Sequence, residues 1–178
     1  MTQKPKLLNT QEIKTYLANG GIPVISVIIQ KGTKFDRKYI LSLARKYKNS
    51  NASRYVYIWN LVDGIINYPE QEGQIIYIGQ SSAKKVFDRL THEIAKENDK
   101  GNDQCSNYTL TLLYHKGVPL KLCVYFVTNN TSPEIVESSL HLWHIKRYGS
   151  LPIASGASTK NRSLTDIANT SSEFPITI

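Results

Sequence analysis

Residues 55–61 read Tyr-Val-Tyr-Ile-Trp-Asn-Leu, and residues 74–79 read Gln-Ile-Ile-Tyr-Ile-Gly. Both runs are short, apolar and rich in β-branched and aromatic side chains, which suit the pleated, buried surface of a strand. Between them, Asp63-Gly64 and Glu72-Gly73 are turn signals. Two strands joined by a turn-rich connection predict an antiparallel pair.

Working outward, Ser81-Ser82 open a helix through about Lys96, and residues 97–107 form a polar loop. A helix or extended turn follows around Thr109–His115, stopped by Lys116-Gly117. Leu120–Thr128 reads as a third strand. Ser132-Pro133 is an N-cap with proline at the first helical position, and Gly149 is the matching C-terminal stop. The tail from Leu151 is rich in Ser, Thr and Asn and reads as a surface extension. Upstream, Asn9-Thr10-Gln11-Glu12 forms a capping box at the start of a helix that ends at Gly20-Gly21. Val24–Gln30 is a strand. Asp36 caps a second helix, with Ile40, Leu41, Leu43, Ala44 and Tyr47 on its apolar side. The pattern predicts an α/β (α+β) fold with a small, mainly antiparallel three-stranded central sheet flanked by helices. Three parts are expected: a basic N-terminal α/β extension over 1–50, a body over 51–155 and a tail over 156–178.

The chain has 178 residues, enough for one domain with an appendage. Hydrophobic residues make up 40% and charged residues 20%, which excludes disorder, collagen and coiled coil as whole-chain descriptions. The longest apolar stretch, Ile22–Ile29, is too short to span a bilayer, and no N-terminal run resembles a secretory signal. A cytoplasmic protein with no membrane partner is the expectation. Cys105 and Cys123 form no paired motif, consistent with core-filling thiols in a reducing compartment.

The net charge of +8 is unevenly placed. Residues 1–50 hold Lys4, Lys6, Lys14, Lys31, Lys34, Arg37, Lys38, Arg45, Lys46 and Lys48 against Glu12 and Asp36, and the remaining residues are balanced. Such a segment suits either a polyanion, whose condensed counterions it displaces, or simple solubility. Lys34, Arg37, Lys38, Arg45, Lys46 and Lys48, with Lys96 farther on, are the candidate contacts to such a polyanion.

Two helix faces carry candidate chemistry. On the helix after Ser82, Arg89, His92, Glu93 and Lys96 share one face, and Val86, Phe87, Leu90 and Ile94 another. On the last helix, Glu137, His141, His144 and Tyr148 fall on one side and Ile135, Val136, Leu140, Leu142 and Trp143 on the other. Both patterns also fit ordinary amphipathic helices. Glu137, His141 and His144 have a spacing that permits a shared metal, though zinc sites usually draw on more than one element.

The order Tyr55-Val56-Tyr57, Tyr77-Ile78-Gly79, Arg89, His92 and a late helix with Glu137 resembles the GIY-YIG nuclease superfamily over about residues 54–155. The second motif is intact. In the first, Tyr55 stands where the family has glycine, and Tyr57 falls at the first catalytic tyrosine, with Tyr55 the alternative two residues away. The family's late asparagine has no counterpart in Pro152–Ser155. The resemblance implies a Mg²⁺- or Mn²⁺-dependent endonuclease with Tyr57, Tyr77, Arg89, His92 and Glu137 as its catalytic set and Glu137 as metal ligand. The absence of a long linker or zinc finger suggests a type II restriction-type enzyme. The resemblance also makes the polyanion double-stranded DNA, and cutting both of its strands suggests a homodimer. A repair or mobile-element nicking enzyme, or a DNA-binding protein of the same fold without turnover, are the alternatives.

Overall fold

The computed structural model describes residues 6–19, 25–31, 42, 54–82, 89–92, 94, 107–155 and 176–177. Within them the chain is α+β, and the sheet is larger than the three strands expected. The elements are β1 (Leu7–Leu8), α1 (Thr10–Asn19), β2 (Ile25–Ile29), β3 (Tyr55–Leu61), β4 (Ile65–Asn67), β5 (Glu72–Gly73), β6 (Ile75–Ser81), a 3₁₀ turn (Arg89–His92), α2 (Tyr108–His115), β7 (Leu120–Val127), α3 (Pro133–Tyr148) and β8 (Ile176–Thr177).

The central sheet has five strands. β3 lies between β6 and β7 and is antiparallel to both. Enclosure explains its unbroken apolar run, because a strand covered on both faces has no need of alternation. Tyr55, Val56, Tyr57, Ile58 and Trp59 are all fully buried. The two additional strands come from the first 30 residues. β2 runs antiparallel to Leu120–Val124 of β7, and β1 runs parallel to Phe126–Val127. Together they occupy the edge of β7 that β3 leaves open. Their side chains Leu8, Ile25, Val27 and Ile29 join the core, as does Ile13 of α1. The expected boundary at residue 50 and the helix from Asp36 lie outside the described residues.

A second sheet pairs β5 with β4 and β4 with β8. Glu72-Gly73 is thus a strand pairing Ile66 and Asn67 rather than a turn. Ile176–Thr177 of the tail pair with Ile65 and Ile66.

The capping box at Asn9 and the caps of α3 form as read from the sequence; Gly20-Gly21 and Asp36 lie outside the described residues, and Ser81, read as opening a helix, instead ends β6. The Asn9 N–H donates to Glu12 Oε2 at 2.8 Å, and the Glu12 N–H donates to Asn9 Oδ1 at 3.0 Å. Ser132 caps α3, accepting from the Glu134 N–H at 3.2 Å, and Gly149 closes it at φ 81°, where L side chains are strained.

The faces of α3 differ from the expectation. Val136, Leu140, His144 and Tyr148 are buried, whereas Ile135 (61% exposed) and Leu142 (60% exposed) face outward. Apolar residues lie on nearly every side of this helix, so periodicity alone does not select the inward face. Tertiary shape does. A side chain on Gly73 would come within 2.7 Å of the Tyr148 ring, so this glycine leaves the room that Tyr148 fills. Tyr68 packs edge-on against His144, with centroids 4.8 Å apart, and tilted against Tyr148 at 5.4 Å.

Candidate active site

Tyr57, Tyr77, Arg89 and Glu137 line a single open cleft of about 410 Å³, together with Gln80, Ser81 and Ser82. Four of the five expected catalytic residues, spread over 81 positions of the chain (57 to 137), therefore converge. β3 supplies Tyr57, β6 supplies Tyr77, the 3₁₀ turn supplies Arg89 and α3 supplies Glu137.

Strand pairing brings the two tyrosines together. Tyr57 lies opposite Gly79 and Trp59 opposite Tyr77. The rings of Tyr57 and Tyr77 stand 5.9 Å apart at 52°. Gly79 makes this possible. A Cβ there would lie 2.6 Å from Tyr57 Cζ, 2.7 Å from its hydroxyl and 2.8 Å from Tyr77 Cε1. The glycine of Tyr-Ile-Gly is thus the space into which the Tyr57 phenol extends. Tyr57 is fully buried at the base of the cleft, and Tyr77 is half-buried. Tyr55, the alternative, does not line the cleft; its ring packs edge-on against Phe126 at 6.4 Å.

Arg89 opens the 3₁₀ turn and is half-buried, while Leu90 and Ile94 beside it are buried in the core. Those apolar anchors hold the guanidinium at the cleft. His92 closes the same turn, but its side chain lies outside the described residues. Lys34, Arg37, Lys38, Arg45, Lys46, Lys48 and Lys96 also lie outside them.

The two histidines of α3 belong to the scaffold. His141 Nε2 is 3.3 Å from the Ile78 carbonyl, and His144 Nδ1 is 2.7 Å from the Ser150 carbonyl. Burial holds both imidazoles below their ordinary range, and these carbonyls oppose the shift. His144 sits among Tyr68, Trp143 and Tyr148. Among the described residues, no three His, Cys, Asp or Glu side chains form a metal-ligating group. Burial raises the thiol of Cys123, in keeping with a core residue.

The cleft's side chains offer one carboxylate, phenol and serine hydroxyls, an amide and a guanidinium. Oxygen donors of this kind suit a hard cation such as Mg²⁺ or Mn²⁺, which retains waters and is held by one carboxylate and substrate oxygens. They do not suit zinc, which favours sulfur and imidazole. The sequence reading missed Gln80, Ser81 and Ser82 as cleft residues. Their signal was position: a polar run directly after Tyr-Ile-Gly, where a strand end delivers side chains to a crevice. No helix among the described residues is long and apolar enough to cross a membrane. Compared with known proteins, the chain matches no family model, no curated protein and no solved structure.

Proposed function

We propose that the protein is a metal-dependent endonuclease of GIY-YIG type, hydrolysing phosphodiester bonds of double-stranded DNA in the manner of a type II restriction enzyme. The observation that carries this reading is the convergence of Tyr57, Tyr77, Arg89 and Glu137 on one cleft. Each is common as a packing or surface residue. Their meeting gives the groups that phosphodiester hydrolysis requires: a base, a cation for the phosphate and a metal-binding carboxylate.

Glu137 would hold Mg²⁺ or Mn²⁺, and such an ion would supply charge neutralisation at the phosphate and Lewis acidity toward the attacking water. Arg89 donates paired hydrogen bonds to the scissile phosphate, where its fixed fork matches two oxygens. Tyr57, ionised to its phenolate, takes a proton from the attacking water, and Tyr77 orients that water against the phosphorus; as the new P–O bond forms, the bond to the leaving oxygen breaks and that oxygen takes up a proton from solvent or from His92. His92 transfers a proton or contacts a phosphate. The basic side chains of residues 31–48, with Lys96, hold the duplex by phosphate contacts. Two copies acting together in the cytoplasm cut the two strands.

Plasmid cleavage with Mg²⁺ tests the reading, with Glu137→Ala and Arg89→Ala as controls. Each substitution is expected to lower the rate at least about a hundredfold. Cleavage that survives both changes sinks the assignment. Linear product supports paired cutting, and nicked circles support a repair or mobile-element role. A second reading is a DNA-binding protein without turnover. The complete burial of Tyr57 favours it, and tight, salt-sensitive binding with no Mg²⁺-dependent cleavage would establish it.

A further inference from the structure

Beside the cleft, one carboxylate joins elements that carry the candidate site residues. Glu134, in the first turn of α3, accepts a hydrogen bond from Ser82 Oγ at 3.2 Å through Oε1. Its Oε2 accepts from the hydroxyl of Ser132, the cap of α3. Ser82 directly follows β6 and lines the cleft. Arg54, directly before β3, donates to the carbonyls of Asn129 (3.0 Å) and Thr131 (2.9 Å) in the turn leading into α3. The hydrogen bond from Ser132, then Glu134's own N–H, then Ser82 and least of all the Arg54 charge keep the Glu134 carboxyl below the usual carboxylate range. β3, β6 and α3 thus meet at one end, and these are the elements that bear Tyr57, Tyr77 and Glu137.

We infer that Glu134 is a positioning residue, clasping the end of β6 to the first turn of α3 so that Glu137, three residues on, faces Tyr57 and Tyr77 across the cleft. This inference rests on the cleft being the reactive site. The clasp is solvent-exposed, and an exposed hydrogen bond adds little to global stability because water replaces either partner. Its consequence falls on geometry, where a displacement of about 1 Å in a reacting group can cost up to about a hundredfold in rate.

The test measures Mn²⁺ binding to the full chain by electron paramagnetic resonance, alongside Mg²⁺-titrated DNA cleavage and thermal denaturation. The variants are Ser82→Ala, Glu134→Ala, Glu134→Gln and the Ser82→Ala/Glu134→Ala pair. Glu134→Ala is expected to weaken Mn²⁺ binding and raise the Mg²⁺ needed for half-maximal cleavage by about tenfold. Ser82→Ala should give about threefold, and the pair no more than Glu134→Ala alone, because both remove one link. Glu134→Gln, which retains an acceptor for Ser82, should fall between wild type and Glu134→Ala. Wild-type metal affinity in Glu134→Ala, multiplicative effects in the pair, or losses matched by a fall in Tm would overturn the inference. If Glu137→Ala binds Mn²⁺ and cleaves like wild type, or if wild type does neither, the reading of the cleft itself fails and the inference falls with it.

Discussion

At the scale of single residues, Gly79 carries the clearest consequence. Tyr-Ile-Gly is legible in the sequence, but its reason is not, because the atoms that exclude a side chain at position 79 belong to Tyr57 on another strand as well as to Tyr77. In Gly79→Ala the new methyl competes with the Tyr57 ring at separations under 3 Å. Because both sides of the clash are packed, the expected loss of stability is about 1–3 kcal/mol. A thermal melt unchanged from wild type would show that the ring moves aside freely. Tyr57→Phe makes the complementary test. It keeps the ring and its packing and removes the hydroxyl. Cleavage should fall about a hundredfold while Tm stays within a few degrees of wild type. A cleavage loss no larger than that of a neighbouring core substitution would leave Tyr57 as packing alone.

At the scale of elements, α3 joins scaffold and site. Its ends were readable because capping is local: Ser132, Pro133 and Gly149 act on backbone groups within one turn of themselves. Its faces were not, because the inward side is chosen by Tyr68, Gly73 and β6, which lie some 60–80 positions away in sequence. His144 shows the result, a titratable ring in the core whose Nε2 has no hydrogen-bond partner among the described residues. Its folded-state pKa and that of His141 lie below the ordinary 6.5. The unfolded chain therefore takes up protons first on acidification. The stabilisation from the neutral rings is complete above about pH 6.5 and is lost as the pH falls through the depressed folded-state values. Tm is expected to drop between about pH 7 and pH 5, and less steeply in His144→Phe, although that variant starts lower because it gives up the Ser150 hydrogen bond. The same pH slope in wild type and His144→Phe would show that His144 does not titrate in this range.

At the scale of the whole molecule, two segments of the first 30 residues, β1 and β2, are strands of the central sheet. β1 and β2 close the edge of β7, and Leu8, Ile13, Ile25, Val27 and Ile29 are buried against the body. Each such side chain contributes about 1.5–3 kcal/mol of burial. A truncation beginning at Ser50 would bare that edge and remove these side chains, so loss of cooperative unfolding and aggregation are expected. A soluble truncation melting like the full chain would contradict this. The charge of the segment is better tested in place. Changing Lys34, Arg37, Lys38, Arg45, Lys46 and Lys48 together to glutamine should weaken DNA binding and flatten its salt dependence, by about 0.9 in slope for each phosphate no longer neutralised. An unchanged salt slope would return the excess charge to solubility.

Ser81, read as the start of a helix, instead ends β6, whereas other local features follow from the amino-acid order alone: strands read at 55–61, 74–79 and 120–128 and found at 55–61, 75–81 and 120–127, the capping box at Asn9, and both ends of α3. Each rests on neighbours a few positions apart, through side-chain period or a single backbone hydrogen bond. The resemblance to GIY-YIG nucleases singled out Tyr57, Tyr77, Arg89 and Glu137. Folding in three dimensions was needed to show that these four share a cleft, that β1 and β2 extend the sheet, that α3 turns His144 inward, and that Glu134 bridges to Ser82. Those outcomes depend on strand register and on which surfaces fill one another's gaps, and both are properties of pairs of residues far apart along the chain.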